Sequence, residues 1–210
     1  MIQRATEFIT DLFANDFSGH DAAHTLRVLH LAERIARAEG AELTTVQLAA
    51  LLHDADDRKL SPETCRDKLR ARGFLEGEGL PEEQIRRILT IIDEVSFRGT
   101  DSVVPSTLEG KCVQDADRLD AIGAIGIGRA FAFGGSRGRS MYAPGDVPGE
   151  MPDGESYEAR SGSTIAHFYE KLLHLAGMMN TPTAKAMAAH RHRFMEAFLR
   201  EFLEEWNAER

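Results

Sequence analysis

Apolar residues recur every three or four positions along most of this chain, and that spacing constrains the fold more than any other feature. In residues 20–38, His24, Val28, Leu31 and Ile35 fall on one helical face. No segment alternates apolar and polar residues over the length of a strand. The sequence therefore predicts an all-α fold.

Capping residues and helix breakers divide the chain into segments. Residues 2–14 form a first amphipathic helix, and Gly40 is expected to end the second. Further helices are expected over Val46 to Ala55, from Ser61-Pro62 to Gly73, from Pro81 through Val95, from the capping pattern Ser106-Thr107-Leu108-Glu109 towards Phe133, from Ser163 to Met179, and from Thr181-Pro182 to about Trp206.

One domain spanning 1–210 is expected, because 210 residues are enough for one packed core and few for two. Its core would lie at about 20–121 and its C-terminal helices at 161–206. Between them, residues 134–160 contain six glycines and three prolines and cannot form a regular element. A loop of that length in a compact domain is usually functional or disordered.

Bulk properties exclude several classes of protein. A formal net charge of −9 argues against whole-surface affinity for a nucleic-acid polymer or an acidic membrane. The sequence contains no run of about eighteen apolar residues, the length needed to span a membrane. The N-terminal residues lack the apolar region of a secretion signal. Cys65 and Cys112 are expected to be buried thiols rather than a disulfide. These features predict a cytoplasmic protein.

The sharpest local signal is the segment Leu51-Leu52-His53-Asp54-Ala55-Asp56-Asp57, in which an apolar helix gives way to an imidazole and three carboxylates. Burying such groups is costly unless they are paired or bound to a metal. His24 upstream and Asp117 downstream share apolar helix faces, so three helices each point a ligand-type side chain inward. Singly, His24 could be a hydrogen-bonded core residue, and Asp117 could pair with Arg118 or Arg27.

Five segments in this order resemble the HD-domain phosphohydrolase superfamily, and in particular its small stand-alone bacterial members. They are GHDAAHTLRV (19–28), LLHDADD (51–57), VQDADRLDAIGAIGIGRAF (113–131), GGSRGR (134–139) and HFYEKLLHLAGMMNT (167–181). The resemblance implies a metal held by His24, His53, Asp54 and Asp117. Asp117 is preferred over Asp115 and Asp120 because it lies in the ADRL motif (116–119) of the resemblance. It also implies a nucleotide pyrophosphohydrolase activity.

Two imidazoles and two carboxylates form a fairly hard ligand set, which suits one divalent ion with open positions rather than a closed structural zinc site. Mn²⁺ is favoured, with Mg²⁺, Fe²⁺, Ni²⁺ and Co²⁺ as alternatives. No histidine occurs between His53 and His167, which favours one metal ion over two. Asp57 lies one helical turn past His53 and is the candidate general base, unless it only ends the helix or pairs with Arg58 or Lys59.

Several basic residues are candidates for binding substrate phosphates. Guanidinium groups and glycine-rich backbone suit that role, although salt bridges or a solvated face would explain the same residues. The candidates are His20, Arg27, Arg137, Arg139, His167 and Lys171.

The predicted reaction is hydrolysis of a nucleoside triphosphate to the monophosphate and pyrophosphate. A nucleotidase or a cyclic-nucleotide phosphodiesterase could use the same ligands, and a catalytically silent nucleotide-binding module could retain the metal as a scaffold. The expected partner is a small phosphorylated substrate, a nucleotide above all. The apolar last helix could pack within the chain or against a second copy, which would make a homodimer.

Overall fold

Helices make up the regular structure of the computed structural model, which describes residues 1–14, 21–56, 63–64, 67–146, 152–153, 155 and 162–210. No strand occurs within these ranges, so the predicted all-α class is confirmed. Among the same residues, no helix has the length and apolarity needed to cross a membrane.

The described residues group into two compact units. The first comprises 1–96 and 102–117, and the second comprises 97–101 and 118–210. Whether the chain behaves as the single domain expected from its length stays a prediction.

The first unit is built around one largely buried helix. Its helices are α1 (Ile2–Leu12), α2 (Ala22–Glu39), α3 (Leu43–Leu52), α4 (Leu69–Gly77), α5 (Glu82–Val95) and most of α6 (Leu108–Asp120). Helix α3 is apolar on all sides, and α1, α2 and α5 pack around it. Leu48, Leu51 and Leu52 are fully buried, and each such side chain contributes about 1.5–3 kcal/mol through burial.

Most predicted boundaries in this unit lie within a few residues of the observed ones. Gly40 ends α2 in the left-handed conformation, with φ 78°, as its position indicated. The prediction that Gly73 ends a helix is wrong, because α4 continues through it to Gly77. Ser61 and Pro62, the predicted start of that helix, lie outside the described residues.

A sharp corner separates α6 from the next helix, α7 (Gly123–Ser136), so the single long helix predicted up to Phe133 is wrong. Gly123 has φ +77°, a conformation that side chains disfavour, and a Cβ there would lie 3.0 Å from Cγ of Arg191. The guanidinium of Arg191 donates a hydrogen bond to the carbonyl of Leu119 at the end of α6. The corner therefore depends on a helix far along the chain, which local pattern cannot reveal.

The second unit continues with α8 (Thr164–His167), a π-helical turn (Phe168–Leu172), a 3₁₀ turn (Leu175–Met178) and α9 (Pro182–Trp206). Its 97–101 segment includes a 3₁₀ turn at Gly99–Asp101. Helix α9 packs on α7, with Phe131 lying 6.0 Å from Phe198 and 6.1 Å from Phe202 between ring centroids. The last helix thus packs within the chain, and pairing with a second copy stays a prediction.

Backbone hydrogen bonds join the first part of the predicted loop, which begins after Ser136 rather than at 134, to the start of α8. The N–H groups of Thr164 and Ile165 donate to the carbonyls of Ser140 and Met141, at 3.0 and 2.9 Å. Further along, the carbonyl of Pro152 accepts from Thr100 N at 3.0 Å. Residues 147–151, 154 and 156–161 lie outside the described part, so the expectation of a functional or disordered loop stays a prediction.

Candidate metal centre

His24 enters the site from the first turn of α2. It is the third residue of that helix and shares its buried face with Val28 and Ile35. Its side chain is 1% exposed. The prediction, made from the apolar stripe of this helix, that His24 faces inward is confirmed.

His53 and Asp54 follow directly after Leu52, the last residue of α3. Because α3 is buried over its C-terminal half, its end brings both side chains into the interior of the unit. The Nδ1 atom of His53 lies 2.8 Å from the carbonyl oxygen of Ala50. A carbonyl can only accept, so Nδ1 carries the proton and Nε2 is left to act as a ligand.

Asp117 comes from α6, where it follows the buried residues Val113 and Ala116 on the same helix. Its side chain is 27% exposed, in contrast to the almost fully buried imidazoles. The carboxylate of Asp117 therefore forms the open side of the group.

These four side chains converge. Asp54 Oδ2 lies 3.3 Å from His24 Nε2 and 3.4 Å from His53 Nε2. Asp117 Oδ1 lies 3.5 and 3.7 Å from the same two nitrogens. One ligand atom each from His24, His53 and Asp117 can be chosen so that all lie within 4.8 Å of one another, a spacing that could hold a metal ion.

The electrostatics of the group are those of a concentrated negative site. Burial alone would lower the pKa of the His53 imidazole, but the carboxylates of Asp54 and Asp117 outweigh it and raise that pKa to about 10. Burial alone would raise the pKa of Asp117, but the imidazoles of His53 and His24 beside it hold that pKa well below its usual range. The two carboxylates thus favour a positive charge between them.

The residues fit a bound cation. His53 Nε2 is buried and has no hydrogen-bond partner among the residues that the structure describes, although such nitrogens are normally satisfied. A cation placed near it would be coordinated by two imidazole nitrogens and two carboxylate oxygens. That mixed set suits Mn²⁺, Fe²⁺, Ni²⁺, Co²⁺ or Mg²⁺ with open positions better than a closed zinc site.

The predicted substrate-binding residues fall in different places. Arg27 is half-buried on α2 in the first unit, and the other described candidates belong to the second unit. There, the guanidinium carbons of Arg137 and Arg139 lie 5.4 and 5.8 Å from the centroid of the Phe133 ring.

His167 ends α8, and Lys171 lies in the π-helical turn that follows. The ammonium of Lys171 is 4.3 Å from the centroid of the Phe97 ring. Two predicted residues, His20 and the candidate base Asp57, lie outside the described residues, so their roles stay predictions.

Two acidic residues near the site have roles that the sequence reading did not identify. Asp56 is 7% exposed and accepts hydrogen bonds from the backbone N–H groups of Arg70 and Ala71 at the start of α4. Asp21 is the N-cap of α2, and its side chain accepts from His24 N. The second role has a sequence signal, an aspartate three residues before the first helical histidine.

Comparison with known proteins shows which family has this arrangement. The family model described as HD domain matches residues 21–122, a range that contains all four converging residues. YpgQ of Bacillus subtilis is 42% identical over 197 residues, which cover 92% of this chain and 88% of YpgQ. This chain belongs to the HD-domain phosphohydrolase family. The resemblance read from its five sequence segments is confirmed.

Solved structures of similar proteins extend over nearly the whole HD-domain chain. A protein from Lactobacillus plantarum has a TM-score of 0.86 and 41% identity, covering 99% of this chain and 97% of its own. YpgQ in complex with ADP has a TM-score of 0.76 and 38% identity, with coverages of 98% and 97%. An HD-superfamily hydrolase from Bacillus thuringiensis has a TM-score of 0.73 and 38% identity, covering 99% of this chain and 97% of its own.

Proposed function

We propose that this HD-domain protein is a divalent-metal-dependent phosphohydrolase that cleaves nucleoside triphosphates to the monophosphate and pyrophosphate. The observation that carries the proposal is the convergence of His24, His53, Asp54 and Asp117, with nitrogen-to-oxygen distances of 3.3 to 3.7 Å. Imidazoles and carboxylates that converge in this way are typical ligands of a catalytic divalent cation, which supports the proposal.

A nucleotide is the proposed substrate class because YpgQ was crystallised in complex with ADP. That structure matches 98% of this chain at 38% identity, which supports a nucleotide as the ligand proposed here. A diphosphate presents the same kind of group as the triphosphate that we propose to be cleaved.

A divalent cation at this centre would polarise a phosphoryl oxygen and lower the pKa of an adjacent water. The residues of the chain orient the ligands that would hold the cation. The bond from His53 Nδ1 to the carbonyl of Ala50 holds the ring so that Nε2 points at Asp54 and Asp117. Mn²⁺ is the proposed ion, because its preference for carboxylate oxygen and six-coordination suits a mixed ligand set that leaves coordination positions open.

Other chain residues are proposed for the remaining roles. Asp57 is proposed as the general base that takes a proton from the attacking water, because it follows His53 and Asp54 by one turn of residues. Guanidinium and ammonium groups would bind the phosphates, since a protein with net charge −9 must offset their charge locally. The proposed phosphate-binding residues are His20, Arg27, Arg137, Arg139, His167 and Lys171.

A panel of nucleotides tests the proposal. The purified protein is incubated with nucleoside tri-, di- and monophosphates and a cyclic nucleotide, each with Mn²⁺, Mg²⁺, Co²⁺ or Ni²⁺, and pyrophosphate and orthophosphate are measured separately. We expect the parent protein to release pyrophosphate from nucleoside triphosphates, and we expect the Asp117→Asn variant to lose this activity. Orthophosphate from monophosphates would indicate a nucleotidase instead. Metal binding without turnover of any nucleotide would indicate a silent module.

A further inference from the structure

We infer that Asp21 is a positioning residue for the metal centre, because it fixes the backbone of His24. The inference rests on the proposed function, since it assumes that His24 binds a metal ion. Asp21 is not one of the converging ligands. Its carboxylate instead accepts a hydrogen bond from His24 N, at 2.8 Å from Oδ1.

The bond forms at the weakest part of the helix. Asp21 has the extended backbone of an N-cap, with φ −81° and ψ 171°, and α2 begins at Ala22. The first four N–H groups of a helix have no partner within it, and helix ends fray for that reason. His24 is the third residue of α2 and therefore lies in its first turn, where the helix is prone to fray. Its N–H is one of the four that have no partner within the helix.

The side chain that depends on this turn has little freedom in the native site. The imidazole of His24 is 1% exposed, and its Nε2 lies 3.3 Å from Asp54 Oδ2 and 3.5 Å from Asp117 Oδ1. Ligands of a catalytic site must be held within about 0.5 Å of their working geometry. Opening the first turn of α2 would move the Cα of His24, and with it the ring, out of that range.

The other ligands are held in different ways. His53 is oriented through its ring, by the bond from Nδ1 to the carbonyl of Ala50. Asp117 lies in the last turn of α6, past the first four residues, so the helix itself can satisfy its backbone N–H. Among the described residues, the start of α2 is the ligand-bearing segment in which a capping side chain accepts a hydrogen bond from the N–H of the ligand itself.

An ordinary cap would only add stability, and the chain offers a matched control for that reading. Thr181 caps α9, where its Oγ1 accepts from Ala184 N at 3.2 Å, again three residues into the capped segment. Replacing either cap by alanine should cost a similar amount of stability. Only the cap at Asp21 adjoins a metal ligand, so only its loss should change metal affinity.

The experiment measures Mn²⁺ binding by metal-free protein, by counting free Mn²⁺ in an electron paramagnetic resonance titration. Asp21→Ala is expected to raise the Kd about 10- to 100-fold, as loss of a ligand-orienting partner typically does. Asp21→Asn keeps the cap and should stay within about threefold of the parent protein. Thr181→Ala should leave the Kd unchanged while lowering the Tm.

A second variant separates positioning from folding. Glycine at an N-cap costs only a few tenths of a kcal/mol but provides no side-chain acceptor. Asp21→Gly should therefore retain the Tm and still weaken Mn²⁺ binding at least about tenfold. An unchanged Kd in Asp21→Gly, or an equal loss in Asp21→Asn, would overturn the inference. If the parent protein itself fails to bind Mn²⁺, the proposed function fails instead.

Discussion

Glu109 accepts a hydrogen bond from the backbone N–H of Glu42, with 3.1 Å between Glu109 Oε1 and Glu42 N. Glu42 is the N-cap of α3 and accepts from Thr44 N and Thr45 N at 2.8 and 2.7 Å. The second oxygen of Glu109 lies 2.9 Å from Nη2 of Arg87 on α5. One buried carboxylate thus joins the start of α6, which carries Asp117, to the start of α3, which leads to His53.

Glu109→Gln should lower the free energy of unfolding at pH 7 by about 1–2 kcal/mol, the cost of weakening hydrogen bonds to a charged group. Burial alone would raise the pKa of Glu109, but the N–H groups of Glu42 and Glu109 and the guanidinium of Arg87 lower it overall. A lowered pKa gives stability that is full above the unfolded-state pKa of about 4.3 and is lost as pH falls through the folded-state pKa.

Urea unfolding at several pH values checks this prediction. The difference between parent and Glu109→Gln should be largest near pH 7 and should vanish in acid. Glu205→Gln, at an exposed position near the end of α9, removes the same charge and should change stability little. A difference that persists unchanged below pH 3 would contradict the charge-based explanation.

Two glycines of α7 should respond oppositely to alanine. Gly123 has φ +77°, and its Cβ would crowd the side chain of Arg191, so Gly123→Ala should destabilise the protein by about 1–3 kcal/mol. Gly128 is inside the same helix, and a Cβ there meets no atom of the described residues within 4 Å. Gly128→Ala should therefore raise stability by about 0.5–1 kcal/mol. Thermal unfolding of both variants tests the pair, and equal signs would refute the account.

Features with a local cause could be predicted from the sequence, and features with a distant cause could not. The stripe through His24, Val28 and Ile35 predicted a buried histidine because helical spacing alone places it there. The pairing of Glu109 with Glu42 spans 67 residues, and Asp56 meets Ala71 across 15, so neither contact leaves a local pattern. The α6–α7 corner was missed because the side chain that completes it, Arg191, comes from α9.

Asp117 and Asp120 lie on the same helix, and their substitutions should have different effects. Asp117→Asn removes a proposed ligand and should weaken Mn²⁺ binding by more than the 10- to 100-fold typical of orienting partners. Asp120 is 1% exposed and pairs with Arg129 at 3.0 Å, so Asp120→Asn should lower the Tm and leave the Mn²⁺ affinity of the folded protein unchanged. Mn²⁺ titrations of both variants decide which aspartate is the ligand. Loss of Mn²⁺ binding in Asp120→Asn, with binding retained in Asp117→Asn, would reverse the assignment.

The thiol of Cys112 should be inert in the folded protein. Burial, together with the charges of Asp115, Glu39 and Glu109, raises the pKa of this thiol to about 12. In a Cys65→Ser variant, which leaves Cys112 as the only thiol, an alkylating reagent at pH 8 should not react until denaturant is added. Mass spectrometry of samples taken with and without urea measures the modification. Rapid labelling under native conditions would show that the thiol is accessible and ionised.

Arg137 and Arg139 should contribute to binding of the triphosphate. Both guanidinium groups lie against the ring of Phe133, an arrangement that would hold them in place for a polyanionic ligand. The double variant Arg137→Ala with Arg139→Ala should raise KM for triphosphates about tenfold or more, the value of a hydrogen bond to a charged group. Substrates with one phosphate should be affected less, and Mn²⁺ affinity should not change.

A matched control removes the same charge elsewhere. Arg193 and Arg200 are exposed on α9, and replacing both by alanine changes the net charge equally. If steering by overall charge were responsible, both double variants would raise KM alike, and more so at low salt. If Arg137 and Arg139 served only to cover Phe133, their loss would lower the Tm while KM stayed constant. A specific rise in KM at constant Tm is the result that supports phosphate binding by these two residues.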